Sequence, residues 1–117
     1  MGAFTYPIDI GDPQGQRYER VEALVDTGAS YTTLPASLLR RLGVQSMGRR
    51  RFRIASGQVM EREVGQTWIR IDSEAYVQLV VFGSEDQALL SAFSLEGFGL
   101  AVDPLGKRLV QVEGLLM

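Results

Sequence analysis

Apolar and polar positions alternate in short runs along this chain, and most runs stop at Gly, Pro, Asp or Ser. Phe4 to Ile10 alternates well enough for a first strand and ends at Gly11-Asp12-Pro13, a turn signal. Gln14-Gly15-Gln16 prolongs the turn. Arg17 to Val25 then returns as a second strand, wholly apolar at Ala23-Leu24-Val25, so the two runs predict a hairpin. Beyond Asp26-Thr27-Gly28, the β-branched and aromatic stretch Ser30 to Leu34 predicts a short strand. Pro35 to Leu42 predicts a helix: Pro opens it, Leu38, Leu39 and Leu42 sit at helical spacing, and Gly43 closes it.

The second half repeats the habit. Arg49 to Ala55 sets Arg against Phe52 and Ile54, breaks at Ser56-Gly57 and resumes from Val59 to Glu63, which predicts a second hairpin. Thr67 to Ile71 and Tyr76 to Phe82 predict two more strands around Asp72-Ser73-Glu74. Leu89 to Phe98, apolar at 89, 90, 93, 95 and 98, predicts a short helix ended by Gly97 or Gly99. Leu100 to Asp103 and Lys107 to Val112 predict a last strand pair around Pro104-Leu105-Gly106. Many short strands with one or two short helices predict an all-β, closed barrel-like domain spanning 1–117.

Composition removes more chemistry than it suggests. The 117 residues include neither Cys nor His. Thiolate nucleophiles, cysteine-ligated metals, Ser-His-Asp triads and HExxH zinc helices are therefore excluded. No carboxylates cluster at metal spacing, and no Gly-rich phosphate loop or Gly-x-Ser-x-Gly elbow appears, so neither metal nor cofactor is expected. Twelve basic and fourteen acidic residues leave a net charge of −2, with no overall pull toward nucleic acid or anionic lipid. The cluster Arg49, Arg50, Arg51 and Arg53 reads as the outward face of a strand, since no aromatic residues are interleaved as a nucleic-acid platform requires. Trp68 is expected in the core or at an interface. The first residues show no basic-then-apolar leader and no run is long enough to span a bilayer, so the expectation is a cytoplasmic protein away from membranes.

The informative stretch is Leu24-Val25-Asp26-Thr27-Gly28-Ala29-Ser30. An apolar strand delivers one carboxylate into a tight Thr-Gly turn. Such an Asp often does no more than cap its own turn. Here the preceding residues point into a core, so Asp26 is expected to be at least partly buried and to need hydrogen-bond partners.

With that stretch, the chain resembles the retropepsin-like aspartic proteases, and their small bacterial members more than the viral ones. The family's elements occur in order: a first strand pair, Leu-Val-Asp-Thr-Gly-Ala-Ser, Thr-Thr-Leu-Pro before a short helix, a hairpin tipped by Ala55-Ser56-Gly57, Ala88-Leu89-Leu90 before a helix, and Gly99-Leu100-Ala101-Val102-Asp103. The resemblance implies a retropepsin-like barrel and an aspartic endopeptidase with Asp26 as catalytic carboxylate. It implies that Thr27 braces paired loops across a two-fold axis and that Gly28 allows close backbone approach. Ala29 and Ser30 would line the cleft, and Ala55, Ser56, Gly57 and Gln58 would form a flap over a peptide.

One departure matters: the family's two apolar residues and Gly before the C-terminal helix read here as Leu89-Leu90-Ser91. If that position requires positive φ or a close backbone approach, Ser91 strains the loop beneath Asp26. A catalytically silent dimerisation or peptide-binding module is then the alternative. Only one Asp-Thr-Gly occurs, so a dyad requires a homodimer. The apolar tail Val110 to Met117 would lie in an intersubunit sheet by the same resemblance, with a frayed tail as the alternative. A structural domain in which Asp26 only caps a turn is the third reading.

Overall fold

The computed structural model describes residues 4–103, 105–114 and 116. Nine strands and two short helices follow one another in these: β1 (Phe4–Gly11), β2 (Tyr18–Asp26), β3 (Thr33–Pro35), α1 (Ala36–Arg41), β4 (Gly48–Arg53), β5 (Val59–Ile71), β6 (Glu74–Gly83), β7 (Leu89–Ser91), α2 (Ala92–Gly97), β8 (Leu100–Asp103) and β9 (Arg108–Gln111). The main sheet runs β1-β2-β7-β3-β6-β5-β4, and β5 also pairs with β1 through Asp9–Arg70 and Ile10–Ile69. Six strands therefore close into a barrel, with β4 attached outside on β5. This is the closed all-β architecture that the turn spacing predicts.

The alternating runs become barrel staves because one face of each meets the interior. Ile8, Ile10, Leu34, Leu39, Ile69, Val80 and Leu90 are fully buried in one continuous core. Pro35 stands at the N-cap of α1 and Gly43, at φ +83°, follows its end, as the sequence leads one to expect. Trp68 lies half-buried with its indole against the Gly11–Gly15 turn, where a Cβ on Gly15 would come within 3.0 Å of the ring nitrogen.

Three elements depart from expectation. β5 is one continuous strand of 13 residues rather than two. Its central Gly65 does not break the strand; it makes room for the Gln45 carbonyl, which a Cβ there would meet at 2.7 Å. β3 starts at Thr33, not at Ser30, because Thr27–Thr32 is spent on a loop. The apolar run from Leu89 begins as strand: β7 pairs in parallel with β2 (Leu24–Leu89, Val25–Leu90, Asp26–Ser91) and touches β3 antiparallel at Thr33–Leu89. Helix α2 starts only at Ala92, where the Ser91 side chain accepts a hydrogen bond from the Ser94 amide at 3.1 Å, an N-cap. β8 and β9 form a separate two-stranded sheet. Pro104 of their expected turn and Leu115 and Met117 of the tail lie outside the described residues.

The barrel's closing seam carries a buried charge. Asp9 accepts from Arg20 Nε at 2.9 Å and from Arg70 Nε at 3.1 Å. The Arg20 hydrogen bond holds the Asp9 carboxyl below its ordinary range, with Arg70 reinforcing it against the opposing effect of burial. A carboxylate depressed in the fold contributes stability above its unfolded pKa of about 4 and loses that contribution as pH falls through the folded value. The urea midpoint of the wild type should therefore drop between pH 6 and pH 3. Asp9→Asn should show a visibly smaller drop across the same window.

Candidate active site

The Asp26 carboxylate is placed by β2 and held from the side by β7. The apolar end of β2 is anchored where the Leu24 amide donates to the Ala88 carbonyl at 2.8 Å and where Val25 and Asp26 lie beside Leu90 and Ser91. The chain then turns tightly. The Ala29 amide donates to the Asp26 carbonyl at 3.1 Å, and the Gly28 amide donates to Asp26 Oδ1 at 2.9 Å. Asp26 thus does form the Asx-type turn its sequence suggests. Its second oxygen, Oδ2, has no hydrogen-bond donor among the described residues. The side chain is half-buried, while Thr27 and Gly28 beside it are exposed.

Beneath the loop lies a buried hydroxyl cluster. Thr32 Oγ1 accepts from the Ser91 amide at 3.0 Å and donates to Ser91 Oγ at 3.2 Å. It also meets Ser94 Oγ at 2.5 Å, and with its own proton committed to Ser91, Thr32 is the acceptor there. All three residues are buried. The loop above is tied to α2 where the Ala92 amide donates to the Ala29 carbonyl at 3.3 Å. Ser91 has φ −88° and ψ 163°, extended backbone open to any residue. Positive φ is therefore not required there, and the Ser91 hydroxyl oxygen accepts from Thr32 Oγ1 and from the Ser94 amide. This network is invisible in the linear sequence, where Thr32 reads only as a β-branched strand residue.

Asp26 opens onto a cleft of ≈ 640 Å³ that runs between the loop and the β4–β5 hairpin. Gly28, Ala29, Ser30 and Ala55 line it together with Asp26. Thr27 lines an adjoining hollow of ≈ 300 Å³, shared with Gly28, Ala29 and Ser30 and walled by Ala92, Phe93 and Glu96 of α2. Ser56, Gly57 and Gln58 occupy the exposed hairpin tip and line neither space. The tip is a tight turn, closed by Gly57 amide to Ile54 carbonyl at 2.8 Å, and Gly57 supplies φ +91°, a conformation natural only to glycine.

Several cleft residues carry no signal in the sequence. Tyr31 stacks edge-on against Phe52 of the hairpin at 5.4 Å between ring centres and against Phe93 of α2 at 6.5 Å. It bridges loop, hairpin and helix, elements 21 and 62 residues away along the chain. Met60, Arg62 and Val81 also line the cleft. The pleat splits the arginine run: Arg49 turns outward to Glu61 at 3.3 Å, whereas the Arg50 guanidinium lies 5.9 Å above the Tyr31 ring. Among the described residues no group of three or more carboxylates could hold a metal ion, and no helix is long and apolar enough to cross a membrane.

Comparisons with known proteins bear on the family and the fold. A family model described as aspartyl protease matches residues 7–92, from mid-β1 to the start of α2. The solved structure of the Simian Foamy Virus (mac) protease is similar with a TM-score of 0.58 and 16% identity, covering 80% of this chain and 93% of that one. A retropepsin-like aspartic protease from Rickettsia conorii is similar with a TM-score of 0.49 and 19% identity, covering 88% and 89%. No protein of curated function matches the sequence. A six-stranded retropepsin-like barrel, an Asp-Thr-Gly turn at the mouth of its cleft and a family match over well more than half of the length lead to one conclusion: this chain belongs to the aspartyl protease family.

Proposed function

We propose that the chain is an aspartic endopeptidase working as a homodimer, with Asp26 of each copy forming the catalytic dyad. The observation that carries this reading is the Asp26 carboxylate itself. One oxygen is fixed by the Gly28 amide, the other has no donor among the described residues, and the group stands at the mouth of a peptide-sized cleft. Two such carboxylates about 3 Å apart share one proton. The ionised one takes a proton from a water held between them while the protonated one gives its proton to the peptide carbonyl oxygen. The water oxygen bonds to the carbonyl carbon, the resulting diol collapses, and the C–N bond breaks as the leaving nitrogen gains a proton. No bond to the enzyme forms, which suits a chain without His or Cys.

The surface around the loop supports a symmetric partner. Thr27 is exposed, and Phe93 on α2, 62% exposed, presents a large ring next to the Asp26 turn. Val112, 47% exposed, and Leu116, 98% exposed, leave the tail apolar and uncovered in one copy. A second copy burying these surfaces would bring the two turns together, with Thr27 and Gly28 at the axis. Ala29 and Ser30 then form the cleft floor, and the hairpin with Ala55, Ser56, Gly57 and Gln58 serves as a flap over the peptide.

The silent-module alternative drew on Ser91 in place of Gly, and the extended backbone there lends it no support from positive φ. Digestion of a complex peptide library from acid to neutral pH decides between the two. Cleavage that requires Asp26 supports the enzyme; a folded dimer that cleaves nothing at any pH supports the silent module. Because half of the site comes from each copy, specific activity should fall on dilution below the dimer dissociation constant. A dilution series beside sedimentation analysis checks this, and full activity in a proven monomer would sink the shared site.

A further inference from the structure

Arg50 and Arg62 are direct cross-strand partners on β4 and β5, next to the pair Phe52 and Met60 on the same face of the hairpin. That face looks onto the cleft. Phe52 packs on Tyr31, the Arg50 guanidinium lies above the same ring, and Met60 and Arg62 line the cavity. Like charges directly opposite one another destabilise a strand pair. Elsewhere on the hairpin Arg49 pairs with Glu61 and Arg53 donates to the Gly57 carbonyl, while Glu63 is taken by Arg40 of α1 at 2.6 Å. Neither Arg50 nor Arg62 reaches a carboxylate among the described residues. Arg62 instead donates to the Glu61 carbonyl at 2.9 Å and lies 3.9 Å from the Met60 sulfur.

The charge imbalance extends along the cleft. Arg51, Arg53 and Arg62 line it, and Asp26 is the one acidic residue among its described lining. The hairpin therefore holds an arginine pair at a local cost, beside a cleft whose one described carboxylate is Asp26. A carboxylate entering between the two guanidiniums would remove the repulsion and gain charge-assisted, bidentate hydrogen bonds.

We propose that the cleft selects peptides bearing a Glu or Asp side chain at the subsite beneath Arg50 and Arg62. The inference rests on the peptidase reading, in that the occupant is a peptide, and names its substrate class. A lone carboxylate on a segment otherwise suited to the apolar Phe52, Met60 and Val81 surfaces fits this lining.

The test uses paired libraries of short peptides that differ only in carrying Glu or Gln at one position. Wild type is assayed for cleavage and Asp26→Asn for binding by fluorescence anisotropy, at low and high salt. At one position or more, the Glu peptides are expected to bind about tenfold or more tightly, with the margin shrinking in high salt. In an Asp26→Asn protein that also carries Arg50→Gln and Arg62→Gln, the margin between Glu and Gln peptides should collapse. Arg62→Glu should turn the preference toward Lys, which separates recognition from a change in hairpin stability. Equal handling of Glu and Gln peptides at every position, with cleavage intact, overturns the inference and leaves the peptidase standing. Glu-biased binding without cleavage by wild type does the reverse. No binding and no cleavage removes both.

Discussion

Asp26→Asn is expected to lower kcat/KM for peptide cleavage by at least about a thousandfold, the scale of losing a positioned general acid–base pair, with the fold and self-association intact. The change is nearly isosteric, and an Asn oxygen can still accept the Gly28 amide that Asp26 Oδ1 accepts at 2.9 Å. The turn that feeds Ala29 and Ser30 into the cleft is therefore preserved. What disappears is the shared proton and the charge that draws a proton from water, and in a homodimer one substitution removes both at once. A fluorogenic peptide chosen from the library digest gives the rate, and thermal melting with sedimentation reports the fold. Cleavage within tenfold of wild type in the Asn variant would mean that the carboxylate only caps its turn.

Thr32→Val is expected to cost about 2–4 kcal/mol of folding stability, more than its conservative shape suggests. Valine has the volume of threonine, yet it cannot accept from the Ser91 amide or bond the hydroxyls of Ser91 and Ser94. A buried donor or acceptor left without a partner costs about 1–3 kcal/mol, and the Ser91 amide and the two hydroxyls are all buried. For a domain of this size, such a loss lowers the melting temperature by roughly 10 °C or more. Thr32→Ser, which keeps the oxygen, should recover most of it. Since Ser91 and Ser94 start α2 and α2 is tied to Ala29, the Val variant should also lose turnover before it unfolds. Melting curves of Val and Ser variants side by side, with activity at a temperature where both are folded, check the two halves of the prediction. A Val variant as stable as wild type would show that the cluster is dispensable.

What the chain reveals of itself follows the range over which its residues act. Turns written in local chemistry are legible: Gly11-Asp12-Pro13, Ser56-Gly57, and the Pro35 and Gly43 that bracket α1 all stand where expected. The strands between them follow from alternation, and the Asp-Thr-Gly turn is legible because Asp, Thr and Gly act on one another within three residues. Legibility ends where distant segments decide. Val59 to Glu63 and Thr67 to Ile71 read as separate strands, yet β5 runs through both, and Gly65 between them makes room for the Gln45 carbonyl. Leu89 and Leu90 have helical spacing, yet Leu24 and Val25 offer them backbone partners, and pairing overrides periodicity. Tyr31, Met60 and Val81 join the cleft through folding alone, and the Thr32 cluster needs two residues about sixty positions away.

The placement of β7 has a consequence for the order in which the molecule comes into being. Asp26 is emitted well before the strand that fixes it, which lies beyond β6, and the pairing of that strand with β2 encloses β3 to β6. Parallel contacts at such separation form late and slowly, after local hairpins such as β1–β2 and β5–β6. A nascent chain on the ribosome therefore carries Asp26 on an unbraced loop until Ser91 has emerged and inserted. The Asp26 turn thus gains its brace only once β7 has joined the sheet.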